Sequence, residues 1–196
     1  MHVFIVYCHP SDDSFTFEVK NEFIKGLRAG GHSCEVSDLY KMGFSSEFTE
    51  EEYLREAYYR RELPIADDVM EEQKKIQEAD GIVFIYPVFW TEAPAKLTGW
   101  FDRVWTYGFT YGEAIRMKLL YKALVLATTG RTLEDLIRSG QAQAMETVML
   151  GDRVNYRAKE KQMVFLDGMS REEKLGSRAV NREKHLARVY QLGKNF

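Results

Sequence analysis

Three stretches of this chain gather the side chains able to hold a charged or a flat ligand: CHPSDDSF at 8–15, PVFWTEAP at 87–94 and TTGR at 128–131. The first offers the imidazole of His9 and the hydroxyls of Ser11, Ser14 and, one residue on, Thr16. A helix beginning near Ser14 would aim its unpaired N–H groups and partial positive charge into this loop, which makes it a site for an anion. The same residues serve equally as helix caps, a role for which Ser and Asp are favoured. Like charges repel, so Asp12 and Asp13 are expected to point away from any phosphate. The second stretch places Phe89 and Trp90 in a loop, with Trp100, Phe101 and Trp105 close behind. Aromatics at helical spacing are more often core than ligand wall, which is the reading for Trp100, Phe101 and Trp105, but a loop pair is harder to bury without a flat ligand.

What is absent narrows the chemistry. Neither GxGxxG nor GxxxxGK[ST] follows the first strand, which disfavours a Rossmann dinucleotide site or a P-loop. There is no Ser-His-Asp set, no Cys-His pair and no acidic pair with evident roles, and Cys8 and Cys34 lack metal-ligand spacing, so no metal is expected.

The elements that must position these stretches follow from periodicity. His2–Tyr7 (HVFIVY) is a short β-branched and aromatic run ending in a polar cluster, the mark of a buried parallel strand. Phe15, Val19, Phe23 and Leu27 recur at helical spacing, with Ser14 as N-cap and Gly30-Gly31 as the stop. Ser33–Ser37 forms a second strand. Residues 39–68 hold no strand candidate and one amphipathic helix around Tyr53, Leu54, Ala57 and Tyr58, ended by Pro64. A charged helix covers Val69–Ala79, then strand Gly81–Tyr86, helix Leu97–Tyr107 and strand Lys122–Thr128. A loop and helix lead to strand Glu160–Leu166 and a long helix Arg171–Leu192, on which Leu175 is available for packing and His185 sits on the solvated face. Five strands alternating with helices predict one α/β domain over residues 1–196. Its doubly wound parallel sheet has helices on both faces and binds ligands at the carboxyl ends of the strands.

Composition sets the remaining bounds. A formal charge of −3, with 45% hydrophobic and 29% charged residues over 196 positions, is ordinary for a globular chain and offers phosphate backbones no attraction, so nucleic acid is not an expected partner. The N-terminal apolar run is too short for a signal peptide or a membrane span. With no secretory signal, the reducing cytoplasm is the expected compartment and no disulfide is expected.

Taken in order, these residues resemble the flavodoxin-like NAD(P)H quinone reductases, the family of DT-diaphorase and shorter bacterial relatives that include ancillary subunits of potassium efflux systems. The likeness runs from Val3 to about Arg131. It rests on the opening strand with His9 and Ser14-Phe15, on Ser37-Asp38-Leu39-Tyr40, on Glu72-Gln73-Lys74-Lys75, and on Tyr86-Pro87 through Pro94-Ala95 to Gly99-Trp100-Phe101-Asp102-Arg103-Val104, with Thr128-Thr129-Gly130 completing it. The resemblance implies a bound flavin whose phosphate is surrounded by His9, Ser14, Phe15 and Thr16. Its ribityl chain and ring would be flanked by Pro87, Val88, Phe89, Trp90 and Thr91, and its pyrimidine edge lined by Thr128, Thr129, Gly130 and Arg131. Tyr111 matches an aromatic that in the family reaches a substrate pocket across a homodimer interface.

The implied activity is hydride transfer from NADH or NADPH through the flavin to a quinone-like acceptor. FMN is expected rather than FAD, because larger relatives hold the adenine half with extra C-terminal segments. Tyr111 and Arg131 are the candidates for a direct part in the reaction. The chain departs from the family after strand four: Arg131 stands where a second glycine is usual, the Tyr and His that follow in relatives are missing, and Glu113 replaces a second Tyr. These departures keep two other readings open, a flavin-holding redox-sensing subunit with a membrane-protein partner, and a flavodoxin-like electron carrier. A homodimer is expected, from Tyr111 and from an aromatic helix more apolar than one sheet face needs.

Overall fold

The computed structural model describes residues 1–171 and 178–196. Five parallel strands, β1 (His2–Tyr7), β2 (Ser33–Asp38), β3 (Gly81–Pro87), β4 (Leu120–Thr128) and β5 (Ala158–Leu166), lie in the order β2-β1-β3-β4-β5. The chain runs outward from β1 to β2 and then crosses back to β3, so the doubly wound arrangement expected from the alternation is the one formed. That reversal opens a crevice between the loops after β1 and β3.

Strand residues alternate between two cores. Phe4, Val6, Phe84 and Tyr86 pack on one face with Trp100 and Phe101, while Ile5, Tyr7, Val83 and Ile85 pack on the other with Phe23, Leu27 and Val189. Burial on both faces is why the central strands read as continuous apolar runs.

Helix α1 (Phe15–Ala29) starts at Ser14, whose side chain accepts from the Phe17 N–H. It crosses the last helix, α7 (Arg178–Lys194), at glycines: a Cβ on Gly26 would stand 2.2 Å from the Tyr190 carbonyl oxygen, and one on Gly193 2.4 Å from that of Phe23. Only hydrogen fits at this contact. The excursion after β2 carries α2 (Glu50–Ala57), opened by a Thr49/Glu52 capping box, and α3 (Asp67–Glu78).

The aromatic helix, α4 (Ala95–Val104), is shorter than its expected span to Tyr107, because the chain turns back through Gly108 at φ 77°. Between β4 and β5 lie α5 (Leu133–Arg138) and α6 (Gln141–Glu146), the latter widening into a π-helical stretch over Thr147–Val154. The expected last helix began at Arg171; residues 172–177, with Leu175, lie outside the described residues. His185 is corrected: it is buried, its ring packed near Phe15 and its Nε2 2.9 Å from the Asp167 carbonyl oxygen.

Under the sheet sits one fully buried carboxylate, Glu72 of α3. It accepts from Ser37 Oγ at the end of β2, from Lys75 Nζ and from Trp100 Nε1 of α4, each at 2.7 Å. Its neighbour Gln73 donates to the Val104 carbonyl at 3.0 Å and to Thr106 Oγ1 at 2.9 Å, which holds the end of α4. Removing the carboxylate strands Trp100 Nε1 and the Ser37 hydroxyl without an acceptor and leaves Lys75 Nζ only Ser37 Oγ, at 3.0 Å. Glu72→Leu is therefore expected to cost about 3–5 kcal/mol, read as a lowered urea midpoint; a loss below about 1 kcal/mol would show that water replaces the carboxylate freely.

Candidate active site

The crevice at the carboxyl edge holds two adjoining open clefts. The first, about 380 Å³, is bordered by His9, Ser14, Phe15, Thr16, Pro87, Val88, Phe89, Thr128, Thr129 and Gly130. The second, about 490 Å³, continues from Val88, Thr129 and Gly130 to Trp90, Thr91 and Arg131. All thirteen residues assigned from the sequence to a ligand thus lie together at one edge of the sheet. Tyr111 borders neither cleft; its hydroxyl donates to Glu56 Oε2 at 2.8 Å, and burial beside that carboxylate raises its pKa.

The loop after β1 is held by its own polar atoms. Ser14 Oγ accepts from the Phe17 N–H and donates to the Ser11 carbonyl at 3.0 Å, so this hydroxyl is a cap. His9 Nδ1 lies 3.0 Å from both the N–H and the carbonyl oxygen of Ser11, so either tautomer finds a partner in this loop, and burial lowers the ring's pKa. Among the described residues the N–H groups of Phe15 and Thr16 have no acceptor, as the first turn of a helix requires unless an anion or water supplies one. Thr16 Oγ1 lies 2.8 Å from Thr128 Oγ1, a buried contact that ties this loop to the end of β4. Asp12 is drawn off by Lys41 at 2.8 Å, whereas Asp13, also expected to turn away, borders the cleft; its N–H donates to Ser11 Oγ. Burial pushes the Cys8 thiol up to about 12, so it is no nucleophile at neutral pH.

The loop after β3 carries backbone strain. Phe89 and Glu92 exchange two N–H···O bonds of 2.9 Å, closing a tight turn whose central residues, Trp90 and Thr91, both have positive φ, 51° and 65°. That conformation suits Asn-Gly; in β-branched Thr91 it is an outlier. Trp90 is 100% exposed and Phe89 about half, so the loop aromatics are not buried as a packed pair would be, in contrast to Trp100 and Phe101, which are core. The aromatic helix therefore has no spare apolar face, and that motive for a homodimer is withdrawn.

Sequence reasoning missed the residues that close the clefts. Three backbone bonds, Gly168 N–H to the Arg131 carbonyl, Met169 N–H to Thr129 and Ser170 N–H to Gly130, fasten the loop after β5 to the loop after β4. This brings Arg171 and Arg178 to the first cleft and Ser170 to the second. They stand after the fifth strand, an edge strand, where attention to the centre of the sheet does not lead. Gln141, at the start of α6, takes a hydrogen bond from Arg131 and donates one to Thr91 Oγ1, bridging the second cleft from β4 to the strained turn. No local pattern marks it. Among the described residues there is no cluster of three metal-binding side chains, and no helix is long and apolar enough to cross a membrane.

A helix N-terminus, two threonines and an arginine-bearing loop surround an open crevice at the switch point of the sheet of this doubly wound α/β protein. Residues 1–185 match the family described by its flavodoxin-like fold, and the chain belongs to that family. It is similar along its whole length to the NAD(P)H:quinone oxidoreductase from Methanothermobacter marburgensis, at 46% identity over 95% of that chain with a TM-score of 0.92. Ribosyldihydronicotinamide dehydrogenase [quinone] of Pongo abelii is 36% identical over 160 residues, 70% of this chain and 67% of that protein, and the Homo sapiens protein of the same name is 34% identical over the same shares.

The strained turn gives a test of what Trp90 is for. Trp90→Asn removes no buried contact and puts a residue tolerant of positive φ at the tip, so the fold should gain roughly 0.5–1 kcal/mol by urea titration. A loss of stability would show that the indole packs on the protein and is not held out for a ligand.

Proposed function

We propose that this protein is a flavin-dependent NAD(P)H oxidoreductase that passes a hydride to a quinone-like acceptor, the flavin lying along the two clefts. The observation that carries the reading is the convergence, at the switch point, of the α1 N-terminus with the loops after β3 and β4. The names borne by its relatives support the same activity.

The residues fit such a group. The free N–H groups of Phe15 and Thr16, the His9 ring in its Nε2–H tautomer and the nearby Arg171 and Arg178 would form a donor set for phosphate. One helix N-terminus suits one terminal phosphate, hence FMN, with FAD the alternative; the mass of the flavin released by heat separates them. When bound, a flavin supplies two-electron chemistry between nicotinamide and acceptor. The chain's part is to position the partners and to stabilise charge. Trp90 and Phe89 offer exposed aromatic faces beside the second cleft, where donor and acceptor would bind in turn. Arg131, held by Gln141, is the cation in that cleft's lining and would offset the negative charge that reduction brings to a pyrimidine edge at Thr129-Gly130.

A homodimer with Tyr111 beside the partner's cleft belongs to this reading, and sedimentation equilibrium at micromolar concentration decides it. Free Cys8 and Cys34 suit the cytoplasm. The readings as a redox-sensing subunit or a one-electron carrier both forgo rapid turnover.

The experiment is flavin titration followed by steady-state NADH and NADPH oxidation with a benzoquinone. Tight flavin binding with quinone-dependent turnover is expected; binding without turnover would sink the enzymatic reading. Ser14→Asp, which sets a negative charge against the phosphate site, should weaken flavin binding at least tenfold, about 1.4 kcal/mol, and unchanged affinity would mean the phosphate site is misplaced. Arg131→Ala should lower the flavin midpoint potential by tens of millivolts, about 30 mV for each roughly 1.4 kcal/mol of lost attraction. Anaerobic titration against a reference dye reads it, and midpoints equal within about 10 mV would return Arg131 to the surface.

A further inference from the structure

A separate cavity of about 380 Å³ shares no lining residue with either cleft. Its charged lining is Arg55, Arg61, Arg116 and Glu62, and its apolar wall includes Leu63, Ile65 and the Tyr107 ring. We propose that this cavity binds a phosphorylated small molecule, its phosphate among the three guanidinium groups and its organic part against Tyr107 and Ile65.

The case begins with which charges are already paired. Glu62 is engaged by Arg60 at 2.7 Å, and Glu56 by Arg55. Arg61 and Arg116 have no carboxylate partner among the described residues; they donate only to neutral carbonyl oxygens, Arg61 to Glu113 and Arg116 Nε to Gly108 at 3.3 Å. Four arginines against two glutamates leave a local excess of two positive charges, in a chain whose net charge is −3. Exposed arginines alone would be an ordinary solvated face. Here they converge on a concavity whose floor includes Arg55, 4% exposed, with a buried Nε–H that has no acceptor among the described residues. The Arg55 Nε is itself closed off, so it is the clustering of Arg55, Arg61 and Arg116 in one lining that points to an oxyanion, the partner that guanidinium geometry matches.

The arginines are also held in place beforehand. The Arg61 guanidinium lies over the Tyr107 ring at 4.8 Å. Gly108 makes room for it: a Cβ there would stand 3.1 Å from Arg61 Nε, and φ is 77° besides. Stacking fixes the guanidinium plane, so less side-chain freedom is lost when an anion binds. The Tyr107 ring is shared with Tyr59, 4.7 Å away, and Tyr111, 5.7 Å away, so Leu63 and Ile65 supply most of the surface that remains for an organic group.

The site bears on the loop that carries Tyr111. Gly108 N–H donates to the Tyr111 carbonyl at 2.8 Å, and Glu56 Oε2 accepts from both the Tyr107 N–H, at 2.7 Å, and the Tyr111 hydroxyl. A phosphate drawing Arg55 away from Glu56 would change the charge seen by Tyr111, which makes the cavity an effector site for that loop.

Isothermal titration of the flavin-loaded protein with inorganic pyrophosphate and with adenosine 5′-diphosphate, at low ionic strength, tests the proposal. Saturable binding of both is expected, tighter for the nucleotide and weakened by salt. Arg61→Ala and Arg116→Ala, both at exposed positions, should each weaken it about tenfold, the loss of one charge-assisted bond. Glu62→Gln should strengthen it. Absence of saturation with either ligand, or affinities unaltered in both arginine variants, would overturn the site. The readout is binding and not turnover, so it stands or falls apart from quinone reduction.

Discussion

The buried carboxylate of Glu72 is the constraint from which the shape of the ligand edge follows. A charge wholly removed from water is tolerated only where it is paired and hydrogen-bonded, and here donors from β2, α3 and α4 supply two bonds to Oε1 and one to Oε2. With Gln73 beside it holding Val104 and Thr106, α3 acts as a clamp on α4 from its middle to its end. The start of α4 then sets where the strained turn at Trp90 and Thr91 stands. Its end sets where the chain doubles back through Gly108 to Tyr111. Both the second cleft and the arginine cavity thus hang on one element fixed by one anion.

The first cleft rests on a different contact. Helix α1 can aim its N-terminus at the crevice because its far half lies against α7 with glycine on both sides, Gly26 and Gly193, and because Thr16 meets Thr128 at its near end. The positive field of that helix end is reinforced by Arg171 and Arg178, brought in from the loop after β5. A chain with a slight net negative charge thus concentrates positive potential at two concave sites, this edge and the Arg55 cavity. Placement, not total charge, governs which ligands are drawn in.

Of the non-glycine residues with positive φ, the two that adjoin in sequence, Trp90 and Thr91, stand where a ligand would sit, while Tyr59, Ala114 and Asn155 lie elsewhere. Two successive positive-φ residues without glycine, one β-branched and one a fully exposed tryptophan, cost the fold stability, and such strain persists only where surroundings enforce it. The paired bonds between Phe89 and Glu92 and the Gln141 bridge to Thr91 supply that enforcement. In the proposed function, a loop held out from the core in this way would meet a flat partner without closing first.

From the sequence alone the five strands, their alternation with helices, and the three loops at their carboxyl ends could be read. Each depends on periodicity and capping within about fifteen neighbouring residues, and Ser14 or HVFIVY carries that information by itself. The crevice followed, because a doubly wound order leaves it at those ends whatever the side chains. Helical spacing already favoured the core for Trp100 and Phe101, where they lie; only the tertiary structure decided that His185 is buried beside Phe15, that Trp90 stands exposed, and that Arg171, Arg178 and Gln141 reach the clefts. It alone showed Arg55, Arg61 and Arg116 around one cavity, though about sixty residues of chain separate the first from the last. The reason is physical: periodicity is written along the chain, but the convergence of side chains depends on how elements distant in sequence pack, and no local pattern records that packing.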